Sequence, residues 1–345
     1  MLPATSPAPA TAAPAFGKAF SDHMLLARYA QGSWSGYELL PFSNLSLSPA
    51  ALCLHYGQTI FEGMKAFRRA DGGITIFRMA DHHRRLCRSA DRMCMPHVPE
   101  ELFMAGLKEL VAKDAAWVPE HEDGALYLRP FLIASEERFG VGVSEEYLFL
   151  VFTGPVAGLY PKPLQVKVED RYMRAAPGGV GAAKCGGNYG GALFPAQIAR
   201  AEGFDQVLWT DGSAELHIEE SGTMNVMFVI DGTLVTPPLS DTILDGLTRD
   251  SILHYARSTG MAIEERRIAA RELLETHAAG TLQEAFGCGT AAVVAPIATI
   301  TLKGQRVELP PLSETRFCMR ARRYLTDLRR GLLPDVQGWN TVLDA

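Results

Sequence analysis

The spacing of apolar and polar positions along this chain predicts short strands interleaved with amphipathic helices. In "CLHYGQTIFEGMKAFRR" and "GGITIFR" the apolar residues alternate, are rich in aromatics and are bounded by Gly-Gly, which predicts strands. "DHHRRLCRSADRMCM" predicts a helix with Asp81 as its N-cap, because Leu86, Ala90 and Met93 recur at helical spacing. A second helix is expected over "PEELFMAGLKELVAKDAAW": Pro99 suits a first turn, and Leu102, Leu107, Leu110 and Val111 share a face. Two strands follow in "ALYLRPFLIA" and "YLFLVFTG". The proline-rich "PVAGLYPKPLQV" then reads as a link between domains. Beyond it come strands at "QVLW" and "NVMFVI" and helices in "DGLTRDSILHYARS" and "ARELLETHAAG". A strand and turn region, "EAFGCGTAAVVAPIATITLKG", precedes a closing helix, "SETRFCMRARRYLTDLRR". This mixture, without a tandem repeat, predicts an α+β protein of two domains.

The chain's 345 residues agree with two domains, given roughly 150 residues per domain. Apolar residues at 47% and charged ones at 21% describe an ordinary soluble protein. A formal net charge of −6 gives no general attraction for nucleic acid or an acidic membrane face, and no apolar run is long enough to span a bilayer. The six cysteines show neither a CxxC pair nor a zinc-ligand spacing, so reduced thiols in a cytoplasmic enzyme are expected, with no metal site. "MLPATSPAPATAAPA" lacks the basic start and apolar stretch of a secretory signal and reads as a disordered tail over residues 1–15.

Candidate chemistry begins at "KCGGNYGG", where glycine density implies a sharp turn or a close approach beside Lys184. The order is wrong for a phosphate-cradling loop in which glycines precede the lysine. "EESGTMN", "LDGLTRD" and "GCGTAA" each set small or hydroxylated residues beside a turn, where backbone N–H groups and hydroxyls serve as anion donors. A phosphate-bearing cofactor bonded covalently to Lys184 fits this set, and pyridoxal phosphate matches the description. Its chemistry needs an amine to bond and to shuttle a proton, a carboxylate facing the ring nitrogen, a donor for the phenolic oxygen, and donors for the phosphate.

"HYGQTIFEGMKAF", "LYLRP", "KCGGNYGG", "EESGTMN", "LDGLTRD" and "FGCGTAAVV" occur in an order and spacing that resemble the branched-chain amino acid aminotransferases, fold-type IV pyridoxal-phosphate enzymes. "FGKAFSDHML" resembles the opening of the subgroup that includes the eukaryotic enzymes. The likeness runs from about residue 16 to near the C-terminus. It implies a smaller N-terminal α/β domain at 16–160, a linker at 161–173, and a larger cofactor-binding domain with a β-barrel-like core at 174–345.

The same resemblance implies that Lys184 is the Schiff-base lysine and proton shuttle, that Tyr189 bonds the phenolic oxygen and that Glu220 faces the ring nitrogen. Arg85, the amides of Leu247 and Thr248, and Thr290 would hold the phosphate, with Thr223 supporting the ring side. Tyr127 with the N–H groups of Thr290 and Ala291 would take the substrate α-carboxylate, and Arg129 the distal carboxylate of glutamate. Phe61, Tyr56 and Tyr160 would wall the pocket, with Val141 and Tyr56 reaching across a homodimer interface. The implied reaction moves the amino group of leucine, isoleucine or valine to 2-oxoglutarate. Ala292 and Ala295 stand where animal relatives carry a redox-sensitive CxxC, so no thiol switch is expected there, while Cys288 stays open to oxidation.

Blander readings stand beside these. A lone lysine or glutamate is most often a solvated surface residue, and Arg85 sits in a charge run typical of an exposed helix face. Arg129 shares a strand face with Tyr127 and has a buried structural arginine as its rival reading. Among enzymes, a D-amino acid or (R)-amine aminotransferase, or an aminodeoxychorismate lyase, would keep Lys184 and Glu220 but change the substrate walls.

Overall fold

In the computed structural model the strand and helix patterns assemble into two units, residues 1–159 with 326–345, and residues 160–325. The structure describes residues 17–157, 160 and 162–343, so the tail expected at 1–15 lies outside the described residues.

Unit 1 holds β1 (His23–Ala30), β2 (Ser33–Trp34), β3 (Glu38–Pro41), α1 (Leu52–His55), β4 (Thr59–Phe61), β5 (Met64–Arg68), β6 (Ile74–Phe77), α2 (Met79–Arg92), α3 (Glu100–Lys113), β7 (Ala125–Ala134) and β8 (Tyr147–Val156). Its single nine-stranded sheet is centred on β7, which pairs with β8 over its whole length. Both β4 and β5 pair with β7, Phe61 opposite Phe131 and Met64 opposite Leu128, so the Glu62–Gly63 break falls opposite Pro130 and Arg129. Strand alternation in β7 leaves Tyr127, Arg129 and Phe131 half-buried while Leu126, Leu128 and Leu132 are fully buried.

Local differences from the sequence reading have local causes. The segment before Gly57 forms the helical turn α1 instead of a strand, and Gly57 at φ 68 ends it. The α2 N-cap is Arg78 at φ 56, and Asp81 lies inside the first turn, where its carboxylate binds Arg78 Nε at 2.6 Å and also Arg84. There it still complements the positive end of the helix. Pro99 occupies the α3 N-cap, one position ahead of the expected first turn.

Unit 2 contains β9 (Leu164–Val168), α4 (Gly186–Gly191), α5 (Leu193–Ala201), β10 (Gln206–Thr210), β11 (Ile218–Ser221), β12 (Met224–Ile230), β13 (Thr233–Thr236), α6 (Leu247–Ser258), β14 (Ile263–Glu265), α7 (Ala270–Ala278), β15 (Leu282–Gly289), β16 (Val293–Leu302) and β17 (Gln305–Glu308). The strand order β11-β10-β9-β16-β15-β12 returns to β11 through a β11–β12 pairing, which closes a barrel. Its apolar filling includes Val166, Leu208, Val226, Phe228 and Ala295.

The chain leaves unit 2 through α8 (Phe317–Arg329), and β18 (Asn340–Leu343) pairs with β6 of unit 1. The domain expected at 174–345 is therefore not continuous, and the two units are of nearly equal length. The linker expected at 161–173 contains β9, which lies parallel to both β10 and β16 inside the barrel wall. Among the described residues no helix is long and apolar enough to cross a membrane.

Candidate active site

The glycine-rich stretch after Lys184 folds as helix, not as a turn. Cys185 is the N-cap of α4, and side-chain positions at Gly187, Gly190 and Gly191 would meet nothing within 4 Å. Four glycines make a poor helix former, so this turn depends on its surroundings. Asn188 supplies part of them, its Nδ2 donating to the carbonyls of Val180 at 2.7 Å and Ala183 at 2.9 Å. That brace fixes the backbone just before Lys184. The lysine is half-buried, and its Nζ donates to the Tyr189 hydroxyl at 2.6 Å.

Barrel register brings a carboxylate to the same place. Glu220 pairs with Asn225 across β11 and β12, and Asn225 pairs with Cys288 across β12 and β15. Glu220 is 3% exposed, and its Oε1 accepts from the Leu244 N–H at 2.9 Å and from Asn225 Nδ2 at 3.3 Å. Burial pushes its carboxyl above the usual carboxylate range, against the Arg174 guanidinium, the Leu244 N–H and the Lys184 ammonium, while Glu219 adds to the rise. A small hollow is lined by Arg174, Tyr189, Glu220, Thr223 and Leu244.

Anion donors adjoin this row. Gly246 is the N-cap of α6, whose start carries the Leu247 and Thr248 amides. A Cβ at Gly246 would lie 1.7 Å from Asn225 Oδ1, so only glycine lets the helix start pack so close to the residue bonded to Glu220. Thr290 and Ala291 form the turn between β15 and β16, just past the Asn225–Cys288 pair.

In unit 1 the "FEG" triplet divides its side chains between two faces. Phe61, Tyr127 and Arg129 line a cavity of about 540 Å³ with Phe20, Phe131 and Phe152. Arg129 Nη2 donates to the Tyr127 hydroxyl at 2.8 Å, and its Cζ lies 4.6 Å from the Phe61 ring centre. Among the described residues no carboxylate lies within ion-pair distance of Arg129, which counts against a structural salt bridge. Gly63 makes room, since a Cβ there would stand 2.0 Å from the Tyr127 hydroxyl oxygen.

Glu62 turns the other way and meets α2. Its carboxylate takes Arg85 Nε at 2.7 Å and Nη2 at 2.8 Å, and His82 Nδ1 at 2.7 Å. Burial alone would raise this carboxyl, yet the Arg85 guanidinium and His82 hold it well below the usual range. A depressed folded-state pKa stabilises the fold above the ordinary glutamate range, and the contribution fades only as pH falls toward the folded value. Glu62→Gln, which leaves buried Arg85 uncompensated, should cost about 3 to 5 kcal/mol. Denaturant unfolding of the cofactor-free protein at neutral pH checks this, and an unchanged midpoint would contradict it.

The predicted residues thus gather in two groups, Lys184, Tyr189, Glu220 and Thr223 in unit 2, and Phe61, Tyr127 and Arg129 in unit 1. Tyr56 and Val141 do not line the unit 1 cavity. Val141 is 81% exposed in a loop with Phe139 and Val143, and the Tyr56 hydroxyl donates to the Phe139 carbonyl at 2.6 Å. Tyr160 packs against the barrel core, and its hydroxyl accepts from Gln206 Nε2 at 3.1 Å. Arg85 is buried against Glu62 instead of lying on a solvated face. Cys288, expected to be open to oxidation, is wholly buried, and burial pushes its thiol up to about 12, so little reactive thiolate forms. Glu62, Asn225 and Arg174 lie outside the predicted set. Glu62 and Arg174 have their partners far along the chain, whereas Asn225 lies five residues from Glu220 within "EESGTMN".

A family model for amino-transferase class IV matches residues 59–300, which gives the class. Branched-chain-amino-acid aminotransferase 2 of Bacillus subtilis is 40% identical over 96% of this chain and 92% of its own length. The branched-chain-amino-acid aminotransferase of Mycobacterium tuberculosis is 42% identical over 94% of this chain and 91% of its own. Among solved structures, the branched-chain aminotransferase of the archaeon Thermoproteus uzoniensis with norvaline is 26% identical, with a TM-score of 0.77 over 94% of this chain and 100% of that one. This chain belongs to the branched-chain-amino-acid aminotransferase family within amino-transferase class IV.

Proposed function

We propose that this enzyme exchanges the amino group between branched-chain L-amino acids (leucine, isoleucine, valine) and 2-oxoglutarate, with pyridoxal phosphate as its cofactor. The observation that carries the reading is the 2.6 Å contact of Lys184 Nζ with Tyr189 beside the buried carboxylate of Glu220. An amine with a phenol partner, a buried acid and the amides of a helix start fit a phosphorylated pyridine aldehyde. When bound, that group supplies an aldehyde open to a primary amine and a protonated ring that draws electrons from the substrate α-carbon.

The protein's own groups divide the remaining work. Lys184 Nζ is the amine that bonds the aldehyde and the base that takes and returns the α-proton. Tyr189 orients that amine and offers its hydroxyl to the phenolic oxygen. Glu220 faces the ring nitrogen and Thr223 the ring side. The Leu247 and Thr248 amides, Thr290 and Arg85, whose guanidinium Glu62 holds in place, serve the phosphate. Tyr127 with the Thr290 and Ala291 N–H groups takes the α-carboxylate. Arg129 takes the second carboxylate of glutamate or 2-oxoglutarate, which suits its planar fork. Phe61, Tyr56 and Tyr160 serve the branched side chain.

The enzyme works as a cytoplasmic homodimer in which Val141 and Tyr56 act at the partner's site. The exposed apolar side chains of Phe139, Val141 and Val143 support that reading, because such patches are buried on association. Initial rates with 2-oxoglutarate and either L-leucine or D-alanine test the substrate class. Turnover of L-leucine alone is expected, and turnover of D-alanine without L-leucine would overturn the proposal.

A further inference from the structure

β11 carries two buried carboxylates side by side, Glu219 at 6% exposure and Glu220 at 3%. Their surroundings differ. Glu219 Oε1 accepts from the Thr242 hydroxyl at 2.5 Å, while its Oε2 is buried with no hydrogen-bond partner among the described residues. Glu220 Oε1 has two donors, and its Oε2 lies 3.2 Å from Arg174 Nε, an ion-pair contact not aligned as a hydrogen bond. The Arg174 side chain is 8% exposed. Its Nη2 donates to the Thr242 carbonyl and, at 3.3 Å, to the Gly181 carbonyl. One short segment therefore fixes all three charges. Thr242 gives its hydroxyl to Glu219 and its carbonyl to Arg174, and Leu244 gives its N–H to Glu220.

We propose that Arg174 is a positioning residue that decides which of the two carboxylates is ionised: it holds Glu220 Oε2 and keeps Glu220 charged so that the cofactor's ring nitrogen keeps its proton. This rests on the proposed function above, in which Glu220 faces that nitrogen. The other titratable or charged groups around Glu220 are Lys184, Glu219 and the Cys288 thiol. Cys288 stays neutral, and the Lys184 nitrogen is engaged by the cofactor once bonded to it. The Arg174 guanidinium is the protein cation in ion-pair contact with Glu220, opposing burial and Glu219. A cation at such distance lowers a carboxyl pKa. Burial raises the Glu219 carboxyl as it does that of Glu220, but among the described residues no cation lies in ion-pair contact with Glu219.

The experiment uses the full-length enzyme reconstituted with pyridoxal phosphate labelled with 15N in the ring, and reads the ring-nitrogen NMR signal at neutral pH, which reports directly whether a proton is bound there. Wild type should show the protonated nitrogen. Arg174→Gln, which keeps polar donors for the two carbonyls but no charge, should lose that proton, as should Glu220→Gln. Arg174→Lys should retain it. The apparent affinity of the cofactor-free protein for pyridoxal phosphate should fall about tenfold in Arg174→Gln, the equivalent of one pKa unit. A protonated ring nitrogen in Arg174→Gln would overturn the proposal, because a purely structural arginine would leave that signal unmoved. Should Arg174→Gln not fold, Arg174→Lys decides: a protonated nitrogen supports the proposal, and a signal at the Glu220→Gln position overturns it. An unprotonated nitrogen in wild type would instead remove the assigned role of Glu220, and the proposal with it.

Discussion

Lys184→Ala protein mixed with pyridoxal phosphate is expected to show no visible band of covalently bound cofactor and no transamination above background. Two functions disappear with one side chain, since the proposed function makes Nζ both the amine that bonds the aldehyde and the base placed for the α-proton. A positioned acid–base group contributes up to about 10,000-fold, so the loss should reach at least that size. Tyr189 is in contact with Nζ at 2.6 Å, and a phenol cannot replace an amine at the aldehyde. Rates of both half-reactions, followed by stopped-flow absorbance, check this. A wild-type rate in either would remove Lys184 from the chemistry.

Arg129→Leu should separate the two substrate kinds. The leucine half-reaction should stay within a few-fold of wild type, because the Phe61 and Phe131 walls remain and leucine adds apolar volume. The glutamate half-reaction should lose at least tenfold in kcat/KM, as expected from about 2 to 5 kcal/mol for truncating one partner of a buried charge pair. The arginine's position in a largely apolar cavity, bonded to a tyrosine and, among the described residues, to no acid, is what makes the loss selective. An equal loss for both substrates would show that Arg129 supports the wall and does not read the carboxylate.

These two residues were legible in the sequence for different reasons. Alternation in "ALYLRPFLIA" sets Tyr127 and Arg129 on one strand face by period two, and the structure places both on one cavity. Lys184 stood out through its glycines, although those glycines form a helix whose geometry depends on Asn188 and not on a turn. Barrel closure was legible only through the family resemblance, because the β9–β16 and β12–β15 pairings join segments far apart in the chain and leave no local pattern. The return of β18 to β6 was hidden for the same reason, with only four residues of strand to mark it. Arg85 and Glu62 read as a charge run and a lone acid, since burial of an ion pair is a property of the fold and not of either segment. Arg174 escaped notice as an isolated arginine among small residues.

The most direct test of the central claim is borohydride reduction of the purified enzyme after loading with pyridoxal phosphate, followed by peptide mass mapping. A single phosphopyridoxyl group on Lys184 is the predicted result. The same label on a different lysine, or no covalent label at all, would contradict the account.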